Sequence, residues 1–416
     1  MKNRLLAVLP AAVLLCALTL PAFAESVPAP AAKALSAQSA PARENSAPPA
    51  ALVPDNTARV ELPSFDVPCR TAILVAADTG DVLYEKQPDA EVPIASITKV
   101  MTLLLTLEAV ESGKITLQDI VPVSEHAFSM GGSQIWLEPG EQFTLDELIK
   151  AICVCSANDA AVAVAEYVGG TEPVFAEMMN ARAAELSMQH SHFVNACGLD
   201  AEGHYSSARD VAIMSRALLR HPLILEYSGI WMDSLRGGAT QLVNTNKLLN
   251  KYPGITGLKT GTTSKAGVCI SATATREGMG LIAVVLGADS GAIRFAAATQ
   301  LLDYGFATYE YAAFPPVSGM TESMRVKHGA QQTLPLISAV PSGVLCRKGE
   351  GKNLQASCSL PQALEAPVSE GSEVGTVTLS VGDAILAQYS VLAESEVEKI
   401  NFSTALSLLT KAMLSL

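Results

Sequence analysis

The amino-acid sequence predicts an α/β (α+β) domain in which helices flank an antiparallel sheet. A small all-β domain and a terminal amphipathic helix follow. One strand-turn-strand pattern covers residues 72–85, and another covers residues 267–286 after a long helical stretch. Strands at both ends of a helical stretch are expected to meet in one sheet that the helices cover. The sheet should therefore take its strands from both ends of the domain.

Helical periodicity supports this arrangement. Apolar residues recur every three to four positions through the middle of the domain and again after the second strand pair. The predicted helices cover residues 96–110, 145–152, 157–168, 174–185, 208–220 and 293–304.

Composition divides the chain into five segments. Residues 1–24 have the charged start, apolar run and Ala-x-Ala end of a secretory signal peptide, with an uncleaved anchor helix as the alternative. Residues 25–63 are rich in Ala, Pro and Ser, which is typical of an extended linker. The α/β domain spans residues 64–312, the all-β domain spans 313–392 with turns at Gly371, Gly375 and Gly382, and the terminal helix spans 393–416.

The terminal segment is amphipathic. Its helical spacing aligns Phe402, Leu406, Leu409, Met413 and Leu416 on one face. This face can pack on its own domain or lie in a membrane interface, but the segment has only two lysines to attract a membrane surface. Both interpretations remain open.

The charge balance excludes one class of partner. The 416 residues carry a formal net charge of −13, and 49% of them are hydrophobic. Nucleic-acid binding depends on Lys and Arg that neutralise phosphates, and this chain has no basic run. We expect a globular, exported protein that does not bind nucleic acid.

The cysteines predict no metal site. Eight are present, and Cys16 lies in the predicted signal peptide, so an odd number remains that cannot all pair within one chain. Cys346 and Cys358 flank a short loop and can either close a hairpin disulfide or stay free. Cys153 and Cys155 lie in an apolar segment, which favours two core residues because a structural zinc site needs four ligands.

Ser96 and Lys99 stand at the start of a predicted apolar helix. Positions three apart share a helix face, so the hydroxyl and the amine can lie within hydrogen-bond reach. A serine hydroxyl becomes an effective nucleophile when a base takes its proton, and a buried lysine with a lowered pKa can be that base. The motif alone is equally compatible with an N-cap serine and a solvated lysine.

Two further motifs follow in order along the chain. Ser156-x-Asn158 lies between two predicted helices, and Lys259-Thr-Gly precedes the second strand pair. Taken singly, they are compatible with helix capping and with an exposed edge-strand lysine. Together with Ser-x-x-Lys they form the motif set of the penicillin-recognising serine enzymes, each in the structural context that the mechanism needs.

The sequence is similar to the low-molecular-weight penicillin-binding proteins, which are serine-type D-alanyl-D-alanine carboxypeptidases. The resemblance implies their transpeptidase fold, shared with β-lactamases, and no metal or cofactor. It covers roughly residues 70–310 and is carried by segments 94–102, 156–161, 198–210, 257–261 and 293–295.

The resemblance also implies a reaction and roles for residues. The enzyme would remove the terminal D-alanine from peptidoglycan stem peptides at the outer face of the cytoplasmic membrane, in the cell wall or in the periplasmic space, and β-lactam antibiotics would inhibit it. Ser96 would attack the penultimate D-alanine carbonyl, Lys99 would accept its proton, and Ser156 would protonate the leaving amine. The implied substrate-binding residues are Asn158, Lys259, Thr260, Gly261, Thr262 and Arg294, with the backbone N–H groups of Ser96 and Thr262 as the oxyanion hole.

Three other functions use the same motifs. A DD-endopeptidase would attack the same carbonyl, and an inactive scaffold would only bind peptidoglycan. A β-lactamase would need a carboxylate that activates the deacylating water, and Asp200 and Glu202 lack the Glu-x-x-Asn setting expected for it.

Two features of the chain stand apart from the motifs. Within residues 198–210, the resemblance implies structural roles for Asp200, Arg209 and Asp210, and we expect His204 to be solvated or locally hydrogen-bonded, because no Ser-His-Asp order supports catalysis. Some relatives carry histidine or tyrosine where this chain has Thr262, and the cysteines before Ser156 suggest redox sensitivity near the site.

Overall fold

The computed structural model describes residues 63, 65–338 and 340–414. The predicted signal peptide, all but Pro63 of the predicted linker, and Leu416 of the terminal helix lie outside the described residues. The elements of the α/β domain, in chain order, are β1 (Thr71–Ala76), β2 (Val82–Lys86), α1 (Lys99–Glu111), β3 (Ile120–Pro122), α2 (Glu125–Phe128), β4 (Gln142–Thr144), α3 (Leu145–Val154), α4 (Asn158–Gly169), α5 (Glu172–Glu185), α6 (Ala208–Leu219), α7 (Ile224–Ser228), β5 (Met232–Leu235), β6 (Thr240–Val243), β7 (Ile255–Thr263), β8 (Gly267–Arg276), β9 (Met279–Ala288) and α8 (Gly291–Thr308).

A five-stranded sheet organises this domain. Its strands lie in the order β2-β1-β9-β8-β7, and every neighbouring pair is antiparallel. The first two strands of the α/β domain thus join its last three, which confirms the predicted sheet with strands from both ends of the domain. Strand β7, which contains Lys259, is an edge strand as predicted.

Both faces of the sheet are buried, and β1 illustrates why. Ile73 and Val75 belong to one buried cluster with residues of α1, α3, α4 and α6. Ala72 and Leu74, which point the other way because side chains alternate along a strand, belong to a second cluster with α8. A strand buried on both faces is apolar throughout, as the sequence of β1 is. The sheet is therefore the middle of three layers.

The all-β domain follows directly. Its seven-stranded sheet has the order β11-β15-β17-β18-β13-β12-β16, while β10, which crosses the predicted boundary between residues 312 and 313, pairs with β14. The strands are β10 (Tyr309–Ala313), β11 (Val317–Ser318), β12 (Ser323–Lys327), β13 (Thr333–Ser338), β14 (Gly343–Arg347), β15 (Leu354–Ser359), β16 (Leu364–Glu365), β17 (Glu373–Val381) and β18 (Ala384–Ala393).

One predicted turn in this domain is wrong. Gly371 and Gly382 lie in turns, but Gly375 lies inside β17, where the pairing with β18 changes register. A glycine within a strand commonly marks such an irregularity. A Cβ atom on Gly375 would lie 2.4 Å from the Leu360 side chain, so close packing also requires glycine there.

The terminal helix begins later than predicted. Helix α9 spans Phe402–Leu414, and the Asn401 side chain accepts a hydrogen bond from the Thr404 N–H in its first turn. The preceding residues belong to the β domain, because Val397 is buried and exchanges backbone hydrogen bonds with Val368. Removing residues from 394 onward would therefore cut into a folded domain.

The described part of the apolar face of α9 is open to solvent. Phe402 is 85% exposed, Leu406 is 54% exposed and Met413 is 77% exposed. The side chain of Leu409 lies outside the described residues. None of the helices in the described ranges combines the length and hydrophobicity needed to cross a membrane.

The thiols of Cys346 and Cys358 are unpaired. Cys346 lies on β14, which pairs with β10, whereas Cys358 lies on β15, which pairs with β11 and β17. The loop between the two cysteines therefore does not close a hairpin, and the disulfide that the sequence left open is not formed.

We expect every cysteine of the chain from residue 25 onward to be a free thiol. Denatured protein purified without reductant should react with as many equivalents of a thiol reagent as the seven free cysteines in the described residues. A matched sample reduced before denaturation is the control. A gain of two thiols on reduction, lost in a Cys346→Ser variant, would show that the pair forms a disulfide after all.

Candidate active site

Ser96 lies on a tight turn between the sheet and α1. Residues Ala95–Thr98 form a 3-10 turn, and α1 begins at Lys99. The helix that the sequence predicted to begin at residue 96 therefore begins with a 3-10 turn. The residue before this turn, Ile94, makes no side-chain cap. Ala95 has a φ of 51°, which is a strained conformation for a residue with a Cβ atom. Ser96 therefore sits at a bend in the backbone and is not itself a cap.

Lys99 is completely buried beneath this turn. Its Nζ lies 2.9 Å from the Ser96 Oγ, so the predicted hydroxyl–amine contact is made. Nζ also donates to the Asn158 Oδ1 and to the Cys197 carbonyl oxygen, each at 2.6 Å. The solvated lysine that the motif alone allowed is thereby ruled out.

The surroundings of Lys99 favour its neutral form. Its three hydrogen-bond partners are neutral oxygens, and burial lowers the pKa of Lys99 to about 8. Proximity to the acidic groups of Cys197, Cys155 and Asp159 acts in the opposite direction but more weakly. A neutral amine beside a serine hydroxyl can accept its proton.

Ser156 and Asn158 come from the connection between α3 and α4. Both are buried, and Ser156 has a φ of 64°. The N-cap of α4 is Ala157, and it makes no side-chain cap, so the capping interpretation of this motif is wrong. Instead, the Asn158 amide joins two elements, because its Oδ1 accepts from Lys99 and its Nδ2 donates to the Gly131 carbonyl at 2.6 Å.

Asp159 anchors the loop that approaches Asn158. Its carboxylate accepts the backbone N–H groups of Ile135 and Leu137 at 3.0 to 3.2 Å. Between these residues, Trp136 has a φ of 53° and a 71% exposed side chain. The loop is thus held rigidly against the start of α4, next to the motif residues.

Lys259 lies on the edge strand β7 but is only 1% exposed, so the exposed-lysine interpretation is wrong. Its Nζ donates to the Thr260 carbonyl at 3.0 Å, and Thr260 Oγ1 donates to Thr245 Oγ1 at 2.6 Å. Burial, together with the nearby Lys99 amine, lowers the pKa of Lys259 to about 7. A proton on one amine therefore disfavours a proton on the other.

Gly261 allows β7 to approach the turn that carries Ser96. A Cβ atom there would lie 2.9 Å from the Ser96 nitrogen and 3.0 Å from the Ile94 carbonyl oxygen. Such distances are too short for real Cβ contacts, so glycine is required. The next residue, Thr262, donates its hydroxyl to the Gly261 carbonyl at 2.8 Å. The backbone of β7 therefore lies directly beside the Ser96 amide.

Arg294 reaches the same strand from the first turn of α8. It is 8% exposed, so it is not an ordinary surface arginine. Its Nη1 donates to the Cys269 carbonyl at 3.1 Å and to the Gly261 carbonyl at 3.3 Å. Burial lowers the pKa of Arg294 to about 10. The Arg294 guanidinium thus lies next to the Lys-Thr-Gly motif. Its hydrogen bonds go to backbone oxygens and link β7 with β8.

The segment after Gly198 contains the residues expected to be structural. Asp200 accepts the Thr263 hydroxyl, Arg209 pairs with Glu85 and Asp89, and Asp210 accepts the His190 N–H and the Ser191 hydroxyl. His204 is buried and locally hydrogen-bonded, which was one of its two predicted states.

Sequence reasoning missed the backbone groups that complete the site. The Cys197 and Gly131 carbonyls hold Lys99 and Asn158, and any residue can supply a carbonyl. A signal was present at Gly198, where a Cβ atom would lie 2.0 Å from the Ala95 carbonyl oxygen. Its φ of 85° also favours glycine.

Comparison with known proteins identifies the family of the chain. A family model described as D-alanyl-D-alanine carboxypeptidase matches residues 56–290, more than half of the chain. The chain belongs to this family. A second model, described as penicillin-binding protein 5, C-terminal domain, matches residues 318–399 of this carboxypeptidase.

Individual relatives agree with the family. The carboxypeptidase is 41% identical over 341 residues to D-alanyl-D-alanine carboxypeptidase DacF of Bacillus subtilis, covering 81% of this chain and 88% of that one. Penicillin binding protein 5 from Haemophilus influenzae matches with a TM-score of 0.73 and 29% identity, over 81% of this chain and all of that one. Penicillin-Binding Protein D2 from Listeria monocytogenes, solved in the ampicillin-bound form, matches with a TM-score of 0.54 and 32% identity, over 59% of this chain and all of that one. The predicted fold and the serine-type carboxypeptidase class are confirmed.

The cysteines near the site of the carboxypeptidase are shielded. Cys153 is buried, and burial raises its pKa to about 12. Burial likewise raises the pKa of Cys155 to about 11, and its thiol donates to the Ala151 carbonyl. The thiolate is the reactive form, so both groups are poor targets for oxidation near neutral pH.

Proposed function

We propose that this carboxypeptidase removes the terminal D-alanine from peptidoglycan stem peptides through an acyl-enzyme on Ser96. The observation that carries the proposal is the buried Lys99 amine, 2.9 Å from the Ser96 Oγ and surrounded by neutral acceptors. An exposed lysine would stay protonated at neutral pH and could not act as the base.

In the acylation step, the Ser96 Oγ attacks the carbonyl carbon of the penultimate D-alanine while its proton moves to Lys99 Nζ. The developing oxyanion is stabilised by the backbone N–H groups of Ser96 and Thr262. This role is supported by the close approach of β7 to the Ser96 nitrogen, which Gly261 permits. Ser156 then passes its proton to the leaving amine and takes up the proton that Lys99 accepted, so the terminal D-alanine leaves and Lys99 is neutral again.

In the second step, water attacks the ester carbonyl, and Ser96 is released as the free hydroxyl. Lys99 remains the nearest base, because its amine is already hydrogen-bonded to the Ser96 Oγ. The hydrogen bond that this amine donates to the Asn158 Oδ1 keeps it in place through both steps. The products are the shortened stem peptide and free D-alanine.

Substrate recognition is assigned to the β7 edge and its neighbours. Asn158 holds a substrate amide, Lys259 supplies positive potential when protonated, and Thr260 and Arg294 bind the terminal carboxylate of the substrate. A carboxylate beside Lys259 would raise the pKa of that amine, so binding itself would favour the charged form. Gly261 and Thr262 line the peptide-binding side of the strand.

A β-lactam ring presents the same chemistry with a tethered leaving group. Attack by Ser96 opens the ring, and the amine stays attached to the acyl-enzyme. The Listeria relative in its ampicillin-bound form supports β-lactam binding by this chain as well. No carboxylate is among the hydrogen-bond partners of Ser96 or Lys99 in the described residues, which disfavours the β-lactamase alternative.

We further propose that the chain is exported and contacts a membrane surface through α9. Peptidoglycan lies outside the cytoplasmic membrane, and the predicted signal peptide of residues 1–24 fits that location. The solvent-exposed Phe402, Leu406 and Met413 support the interfacial interpretation, because they do not pack on the β domain.

Penicillin should add one adduct to the purified chain of residues 25–401, and a Ser96→Ala variant should form none. The adduct should decay slowly, because a peptidase lacks the water-activating carboxylate of a β-lactamase. Intact mass spectrometry over minutes to hours measures both properties. An adduct that persists on the Ser96→Ala variant, or rapid turnover of penicillin, would contradict the proposed function.

The acylation rate should rise with pH from about 6, reach half its maximum near pH 8 and level off above about pH 9, because only neutral Lys99, whose pKa is about 8, accepts the Ser96 proton. The sign follows from the lowered pKa, since the base is inactive below that value and active above it. Labelling by a fluorescent penicillin over this range gives the profile, with thermal unfolding at each pH as the control. A flat profile on folded protein would argue against Lys99 as the base.

Removing residues 402–416 should release the expressed carboxypeptidase from the membrane fraction while penicillin labelling stays unchanged. A variant with Phe402, Leu406 and Met413 replaced by serine should behave in the same way, because it loses the apolar face but keeps the segment. Ile337→Ser, at an exposed apolar residue of β13, is the matched control and should stay membrane-bound. Retention of the triple variant on the membrane would refute the role of α9.

A further inference from the structure

The turn that carries Ser96 is strained and is held from outside the motif residues. Ala95 has a φ of 51°, and its carbonyl oxygen accepts the Thr98 hydroxyl at 2.8 Å. A non-glycine residue stays in this conformation only when the surrounding structure holds it there. The Thr98 hydroxyl is therefore one of the groups that keep the backbone before Ser96 in its bend.

A second contact fixes the Thr98 hydroxyl itself. Thr98 is fully buried, and its Oγ1 lies 2.7 Å from the Nε2 of His204, a residue 106 positions further along the chain. His204 is 6% exposed and lies in the segment that follows Gly198. The strained turn is thus linked to a distant loop by one side-chain hydrogen bond.

The hydrogen bonds determine which nitrogen of His204 carries the proton. Nδ1 accepts the backbone N–H of Val194 at 3.0 Å, so Nδ1 has no proton of its own. The neutral ring therefore carries its proton on Nε2 and donates it to Thr98 Oγ1. Thr98 then has its own proton free to donate to the Ala95 carbonyl. Burial, helped by the nearby His192, lowers the pKa of His204 to about 4, so the ring is neutral at neutral pH.

We propose that His204 and Thr98 are positioning residues that hold the Ala95 bend and thereby aim the Ser96 hydroxyl at the substrate carbonyl. The proposal rests on the proposed role of Ser96 as the nucleophile. The bonds run in one direction, from Val194 N–H through the imidazole and the threonine hydroxyl to the Ala95 oxygen. His204 touches neither substrate nor Ser96, and its effect passes through Thr98.

The geometry explains why a hydrogen-bonding residue is needed here and not just an apolar one. Gly198 packs against the Ala95 carbonyl, where a Cβ atom would lie 2.0 Å from the oxygen. Glycine has no side chain, so Gly198 contacts the Ala95 carbonyl without a side-chain hydrogen-bond donor. Without the imidazole donor, the Thr98 oxygen becomes a buried acceptor with no partner, and its hydroxyl is no longer held in the direction of the Ala95 carbonyl. A shift of the reacting oxygen by about 1 Å can cost about 100-fold in rate.

The test compares two pairs of variants in the full chain from residue 25. His204→Ala and Thr98→Val remove the bonds, whereas His204→Gln and Thr98→Ser retain a donor and an acceptor in similar positions. Thr98→Val has nearly the same volume as the parent residue, so it tests the bonds even if His204→Ala fails to fold. His328→Ala, at an exposed histidine of the β domain whose side chain pairs with Glu365, is the matched control.

We expect His204→Ala and Thr98→Val each to lower the penicillin acylation rate constant by about tenfold or more, with the binding constant little changed. The loss of buried hydrogen bonds should lower the melting temperature by only a few degrees, so the variants stay folded in the assay. His204→Gln, Thr98→Ser and His328→Ala should stay within about threefold of the parent. The double variant should be no slower than the slower single variant, because both substitutions break the same chain of bonds.

Two results would overturn the proposal. One is a folded Thr98→Val variant that acylates at the parent rate. The other is a His204→Gln variant as slow as a folded His204→Ala variant, which would mean that ring volume matters and the bonds do not. Acylation of the parent at Ser96 is measured first by intact mass, so a failure of the positioning role is distinguished from a failure of the proposed function.

Discussion

The burial of the Lys99 amine is the constraint on which the rest of the site depends. An amine with no exposed surface and no carboxylate partner keeps its proton poorly, and the fall in pKa from 10.5 to about 8 corresponds to a penalty on the order of 3 kcal/mol for the charged form. Such a group is tolerated only where every N–H finds an acceptor. The Asn158 amide and the Cys197 carbonyl meet this need, and the Ser96 hydroxyl completes the set.

The same constraint explains why the site is assembled from distant parts of the chain. A helix turn can place Ser96 over Lys99, but it cannot cover the amine on its other sides. The α3–α4 connection covers one side, the loop ending at Gly198 covers a second, and strand β7 closes the third. Two of these contacts need glycine, since Gly198 meets the Ala95 oxygen and Gly261 meets the Ser96 nitrogen. The sheet makes this possible because its edge strand lies beside the start of α1.

Three strained backbone positions lie around this assembly. Ala95, Trp136 and Ser156 all have positive φ values although none is glycine, with φ of 51°, 53° and 64°. Each is held by neighbouring hydrogen bonds: Ala95 by Thr98, the flanks of Trp136 by Asp159, and the connection at Ser156 by the Asn158 amide and its backbone N–H. Strained residues persist where the surrounding structure over-determines them, and this is common at functional sites.

Local patterns in the sequence were enough to predict the chemical class and the layers of this protein. Hydrophobic periodicity predicted the two strand pairs and the main helices of the α/β domain to within a few residues, although it placed the start of the terminal helix too early. The order of Ser96, Lys99, Ser156, Asn158 and Lys259 predicted the nucleophile and its neighbours, because these depend on local spacing and on side-chain identity. Only the tertiary structure decided that Lys99 and Lys259 are buried, that the Cys197 carbonyl completes the site, that Arg294 reaches the β7 backbone and that His204 bonds to Thr98. These facts depend on contacts between residues far apart in the chain and on backbone atoms that every residue shares, so no sequence pattern records them.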